Sequence, residues 1–206
     1  MQVELQDIGR PFNQGWVFRH VSASFETNRH AVIKGANGTG KSTLLQIIFG
    51  SLTSSEGNVV FKLDSESFSH VDLVHRVTLC APYLQLVEEF TLKESIDFQA
   101  NVIPFRNGLK TDKICEIIGL AEHADKQLKS FSSGMKQRVK LACAILADVP
   151  LVLLDEPASN LDKNAISWYN DLVMKHKQDR LFIVCSNSDG IEFEFCKQEL
   201  DITGFK

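Results

Sequence analysis

Residues Ala31 to Thr43 read AVIKGANGTGKST. A short apolar strand, Ala31 to Ile33, feeds the spacing Gly35-x-x-x-x-Gly40-Lys41-Ser42, a loop built to surround phosphate oxygens. Glycine allows backbone N–H groups to turn inward with no Cβ between them and an anion. Lys41 supplies a cation for β- and γ-phosphates, and the Ser42 hydroxyl is a hard oxygen ligand of the kind Mg²⁺ takes. Gly35, Asn37, Gly38, Thr39, Gly40, Lys41, Ser42 and Thr43 therefore make up the expected cradle for a nucleoside triphosphate. The apolar spacing after the loop predicts a helix from Lys41 to Phe49 whose positive dipole end faces the anion, stopped by Gly50.

Outward from the loop, two continuous apolar runs of strand length, Leu151 to Leu154 and Leu181 to Cys185, suit strands buried on both faces of a parallel sheet. Val77 to Cys80 reads as another. Before and just after the loop the pattern alternates instead, at Val3 and Leu5, then Val21, Ala23 and Phe25, then Val59, Phe61 and Leu63, as in antiparallel strands. Leu92 to Leu128 reads as helical, with a break near Pro104 and Gly108. Met135 to Ala147 is an amphipathic helix with Val139, Ala142, Cys143 and Leu146 on one face. The polar stretch Asp64 to His70 is expected to be a surface turn. The fold expected is α/β: a phosphate-loop NTPase core with a mostly parallel sheet, an N-terminal antiparallel β subdomain and an inserted helical subdomain. Residues 1–206 are expected to form one ATP-binding domain, with about 84–145 as the helical part.

A net charge of −4 with scattered lysines and arginines gives no footprint for nucleic acid. No apolar run reaches the eighteen or so residues of a membrane span, and MQVELQDIGR is too polar for a secretory signal. The five cysteines, 80, 115, 143, 185 and 196, lack paired spacing and fit reduced thiols of a cytosolic core.

Two more stretches carry chemistry. LVLLDEP, Leu151 to Pro157, ends a buried strand on adjacent carboxylates, where ligands gather in open parallel sheets. Asp155 is placed to orient Mg²⁺, and Glu156 to accept a proton from an attacking water. SFSSGMKQR, Ser130 to Arg138, opens the amphipathic helix with hydroxyls. Those read equally as an N-cap or as a second anion site.

In order, GANGTGKST, SFSSGMKQR, LVLLDEP and SNLD resemble the nucleotide-binding domain of ABC transporters over nearly the whole chain. The resemblance implies ATP and Mg²⁺ as ligands. It also implies a head-to-tail homodimer with two ATPs sandwiched, in which Phe131 to Met135 of one subunit closes over ATP held by the other. Ser132 and Gly134 match that family signature, while Ser133 and Met135 replace a glycine and a glutamine. Ser159 to Asp162 resembles the family's loop that crosses the dimer interface. The adenine-stacking aromatic aligns best with Phe12, with Trp16 as runner-up.

Two positions depart from the family. Where it carries a glutamine near Mg²⁺, this chain places Tyr83, with Gln85 two residues later as the alternative. Where it carries a histidine for the γ-phosphate, Ser186-Asn187-Ser188-Asp189 places Asn187, which keeps one amide donor but cannot become cationic. The reading that results is an ATPase subunit that powers a separate integral-membrane permease, located in the cytoplasm and peripheral on the membrane's inner face. Its compactness is similar to small exporter ATPases, that of haem export among them. The alternatives are an ATP-gated dimerising switch with negligible turnover, and a soluble ABC ATPase without a transport role.

Overall fold

The computed structural model describes residues 1–13, 15–64, 66–187 and 190–205. Two sheets organise them. The first is antiparallel, in the order β2-β1-β4-β5, from β1 (Gln2–Phe12), β2 (Gly15–Glu26), β4 (Glu56–Leu63) and β5 (Glu66–Phe68). The second is wholly parallel, in the order β6-β7-β8-β3-β9, from β3 (Ala31–Lys34), β6 (Val77–Cys80), β7 (Leu151–Asp155), β8 (Leu181–Ser186) and β9 (Gln198–Asp201).

The continuous apolar runs behave as expected for strands covered on both sides. Val152 and Leu154 of β7 join the core beneath the helices, while Leu151 and Leu153 face the antiparallel sheet and α1 (Lys41–Phe49). Phe182 and Val184 of β8 divide from Leu181 and Ile183 in the same way. The helix α1 buries Leu44, Leu45, Ile47 and Ile48 almost completely. Each such side chain stabilises the fold by about 1.5–3 kcal/mol relative to exposure. Gly50 ends α1 in the left-handed conformation, as its position in the sequence requires.

The helical stretch consists of α2 (Leu92–Val102), α3 (Thr111–Ile118) and α4 (Ser133–Leu146). Thr91 and Glu94 form a reciprocal cap at the start of α2: the Glu94 N–H donates to Thr91 Oγ1 at 3.2 Å, and the Thr91 N–H to Glu94 Oε2 at 2.7 Å. α5 (Lys163–His176) starts at Asp162, whose carboxylate accepts the Ala165 N–H at 2.8 Å. One expectation needs correction. Asp64 to His70 is not merely a turn, because Glu66–Phe68 adds an edge strand to β4, with the Phe61 and Phe68 rings stacked at 5.5 Å. That single cross-strand aromatic contact outweighs the polar composition around it.

All five parallel strands end on the same side, in register: Cys80 opposite Leu154, Asp155 opposite Cys185, Lys34 opposite Ser186. The residues that follow those ends are consequently brought together.

Candidate active site

The loop after β3 turns through Gly35, Gly38 and Gly40, each with positive φ. Gly40, at φ 101°, caps α1 without any side-chain hydrogen bond, and a Cβ there would stand 2.5 Å from Val17 Cγ1 and 2.8 Å from Phe18 Cδ1. Only glycine lets the loop lie this close to β2. The first N–H groups of α1 have no intrahelical partner, so this end is a donor cluster for an anion. Lys41 is 5% exposed, and its Nζ donates to the Gly35 and Ala36 carbonyls at 2.8 and 3.2 Å. The Thr39 hydroxyl donates to the Ala36 carbonyl at 2.8 Å, which braces the loop from within.

Loop and strand ends enclose a cavity of about 570 Å³, within the usual size of a small-molecule site. Phe12, Asn37, Gly38, Gly40, Lys41, Ser42 and Thr43 form one wall, and Pro82, Glu156, Ser159 and Asn187 the other. Phe12 is 71% exposed at the mouth. Trp16 is engaged elsewhere, with the Arg19 guanidinium 4.4 Å over its ring. The two aromatic candidates are thus separated by geometry: Phe12 lines the cavity and Trp16 does not.

Asp155 ends β7 at 1% exposure, and its Oδ1 has no hydrogen-bond partner. Burial raises its pKa, opposed by a hydrogen bond from the Ser42 hydroxyl and by the charge of Lys41. A buried, partnerless carboxylate oxygen beside a hydroxyl is a hard-oxygen pair whose chemistry fits Mg²⁺. Glu156 adopts φ 47°, unusual for a residue with a side chain and worth about 1–3 kcal/mol of strain. Its N–H donates to the Cys185 carbonyl at 2.9 Å, its carbonyl accepts the Ser159 N–H at 3.0 Å, and its Oε1 lies 3.7 Å from Lys41 Nζ. Burial raises its pKa first, Lys41 lowers it, and the carboxylates of Glu192 and Asp155 raise it further. Both shifts run upward, which makes Glu156 a better proton acceptor than an ordinary exposed carboxylate.

Asn187 Nδ2 donates to Asn37 Oδ1 at 2.7 Å across the cavity. Ser188 and Asp189, the rest of that expected segment, lie outside the described residues. Tyr83 does not line the cavity. Pro82 takes the wall, and burial raises the pKa of the Tyr83 phenol, opposed by the neighbouring Gln46 of α1. Gln85 faces an apolar groove instead.

Ser132 and Gly134 are absent from these walls. Ser132 caps α4, accepting the Met135 N–H at 3.2 Å. A Cβ on Gly134 would stand 3.1 Å from the Asn160 carbonyl, so the glycine lets the Ser159–Asp162 turn pass close to α4. Two polar residues that sequence reasoning missed also brace this region. Buried Gln137 donates from Nε2 to the Pro157 carbonyl at 3.0 Å, and Glu192, 3% exposed, accepts the Ala158 N–H at 2.8 Å. Gln137 lies inside the SFSSGMKQR stretch without a role assigned to it there, and no motif marks Glu192, since each acts on backbone groups far away in sequence.

The family model described as ABC transporter matches residues 18–159. The cytochrome c biogenesis ATP-binding export protein CcmA of Agrobacterium fabrum is 28% identical over 212 residues, covering 100% of this chain and 97% of that protein. In three dimensions an ABC transporter ATP-binding protein from Pyrococcus furiosus superposes with a TM-score of 0.83 at 16% identity over 100% of both chains. The dimeric ATP-binding cassette MJ0796, bound to ADP and Pi, gives 0.78 at 19% identity over 97% of this chain and 94% of its own. At these identities the structural likenesses carry the fold, a phosphate-loop α/β cassette. With the family model spanning well over half of the 206 residues, the chain belongs to the ABC transporter family and is an ATP-binding ATPase of it.

Proposed function

We propose that this chain is the ATP-hydrolysing subunit of an ABC transporter, acting as a head-to-tail homodimer that drives a separate integral-membrane permease. The observation that carries it is the convergence of Lys41, Ser42, Glu156 and Asn187 around one cavity lined also by Phe12, with Asp155 buried behind Ser42 and Lys41, while Ser132 and Gly134 stand outside it. A site with both phosphate-binding and water-activating groups but with its second anion-binding helix turned elsewhere calls for a second copy to complete it.

In this reading adenine stacks on Phe12, and the loop amides with Lys41 take the β- and γ-phosphates. Lys41 Nζ exchanges the Gly35 and Ala36 carbonyls for phosphate oxygens. Ser42 and Asp155 would hold Mg²⁺, which supplies charge neutralisation at the phosphates when bound. Glu156 takes a proton as water attacks the γ-phosphorus and the bond to the β-phosphate oxygen breaks. Asn187 offers its amide to the γ-phosphate, leaving Asn37. Ser132 and Gly134 of the other copy close the open side.

The permease would dock on an apolar groove of about 350 Å³ between β6, α2 and α4, lined in part by Leu84, Leu86, Val102 and Ile103. No helix among the described residues is long and apolar enough to cross a membrane, which fits a peripheral subunit on the cytoplasmic face. End-to-end likeness to an export ATPase supports export as the direction.

Phosphate release from MgATP tests the reading. Wild type should turn over, and Glu156→Gln should lose about 10²–10⁴-fold in rate, the usual worth of a positioned base. Equal release by the two would overturn it. A second reading, an ATP-gated switch with negligible turnover, is favoured by the neutral Asn187 and by Tyr83 lying off the cavity. It predicts no measurable release from either chain.

A further inference from the structure

Glu192 is buried on the short helical turn Ile191–Phe193, where packing alone gives no reason for a carboxylate. Carboxylates are seldom buried unless their oxygens are hydrogen-bonded or held for a ligand. Here Oε2 accepts the Ala158 N–H at 2.8 Å and Oε1 accepts the Ser186 hydroxyl. Ala158 lies two residues after Glu156; Ser186 ends β8, immediately before Asn187. One side chain therefore joins the backbone that carries the base to the strand end that carries the γ-phosphate donor.

The turn holding Glu192 is itself anchored twice. The fully buried Tyr169 hydroxyl, on α5, donates to the Glu192 carbonyl at 3.0 Å. Lys34, the residue before Gly35, sets its ammonium 4.9 Å over the Phe193 ring. Two side-chain hydrogen bonds to one carboxyl thus tie the two segments to each other.

We propose that Glu192 is a positioning residue, a carboxylate strut that locks the segment after Glu156 to the strand end before Asn187. Both side chains, and the Ser159–Asp162 turn that follows, then shift as one body when ATP binds. The catalytic half of this inference rests on the ATPase reading of the same cavity; the mechanical half does not.

Three substitutions test it. Glu192→Ala removes the bridge. Glu192→Gln keeps one acceptor and one donor at the same reach, and Glu192→Asp keeps the charge but falls short by roughly 1.5 Å. In Glu192→Ala, kcat for MgATP should fall about 10²-fold with KM within about 3-fold, the pattern of misplaced catalytic groups with binding intact. Glu192→Gln should recover to within about 5-fold of wild type, and Glu192→Asp should not. Without nucleotide, exchange of the Ala158 amide hydrogen should quicken about tenfold or more in the Ala and Asp variants, and not in Gln. Unchanged amide exchange would refute the strut, and changed exchange with unaltered kcat would refute its role in catalysis. If the Ala variant fails to fold, the Gln and Asp pair decides by itself. A wild type that releases no phosphate sinks the ATPase reading, while the exchange experiment still judges the strut.

Discussion

Two helix starts in this molecule use the same backbone physics to opposite ends. At α1 the cap is Gly40, left-handed, with no side-chain hydrogen bond, so the first N–H groups stay open to a ligand. At α4 the cap is Ser132, extended, with its hydroxyl accepting the Met135 N–H. The first start is an incomplete piece of structure that phosphate completes. The second is a finished helix start, whose hydroxyl still has its own hydrogen to give to an anion arriving from outside. In the proposed dimer this contrast lets the chain enclose its own phosphates from one side and meet a neighbour's phosphates with the other.

Breaking the first start should have the larger effect. Gly40→Ala puts a Cβ into Val17 and Phe18 at a φ that side chains resist. Left-handed backbone and overpacking together should cost about 2–5 kcal/mol. Thermal unfolding should register that loss together with a loss of ATP binding, and an unshifted Tm would show that the loop is not pinned against β2. Ser132→Ala should act more mildly, removing about 1 kcal/mol of stability through the lost cap. It should leave the affinity of a lone chain for ATP unaltered, measured by calorimetry at protein concentrations too low for dimers. A fall in that affinity would put Ser132 at its own chain's nucleotide.

The same contrast sorts what the sequence makes legible. The phosphate loop is contiguous, and its glycines are required by local backbone angles, so spacing alone reveals it, down to the stop at Gly50. β7 and its two carboxylates are legible for a similar reason: a run buried on both faces must be apolar throughout, and Asp155 and Glu156 break it. The edge strands β5 and β9 are not legible, because Glu66–Phe68 and Gln198–Asp201 are mostly polar; β5 owes its order to a tight hairpin with β4, and β9 to β3, far away in sequence. On the far wall of the cavity, Glu156, Ser159 and Asn187 are named from the sequence and the family resemblance, and the residue after β6 is the one that is hidden. That Pro82 and not Tyr83 faces the cavity depends on how the chain leaves β6, which sets Tyr83 beside Gln46 of α1 instead. The roles of Glu192 and Gln137 are not legible either, because the fold alone brings backbone donors and acceptors to them.

The claim that one chain supplies only half of each nucleotide site is tested most directly by solution mass. Glu156→Gln, measured by light scattering, should double from the 23.1 kDa of one chain on addition of MgATP. Adding Ser132→Arg in the same chain should abolish the doubling while ATP still binds. A Glu156→Gln chain that binds MgATP and stays at single-chain mass, or a Ser132→Arg chain that pairs as readily as its parent, would contradict the account.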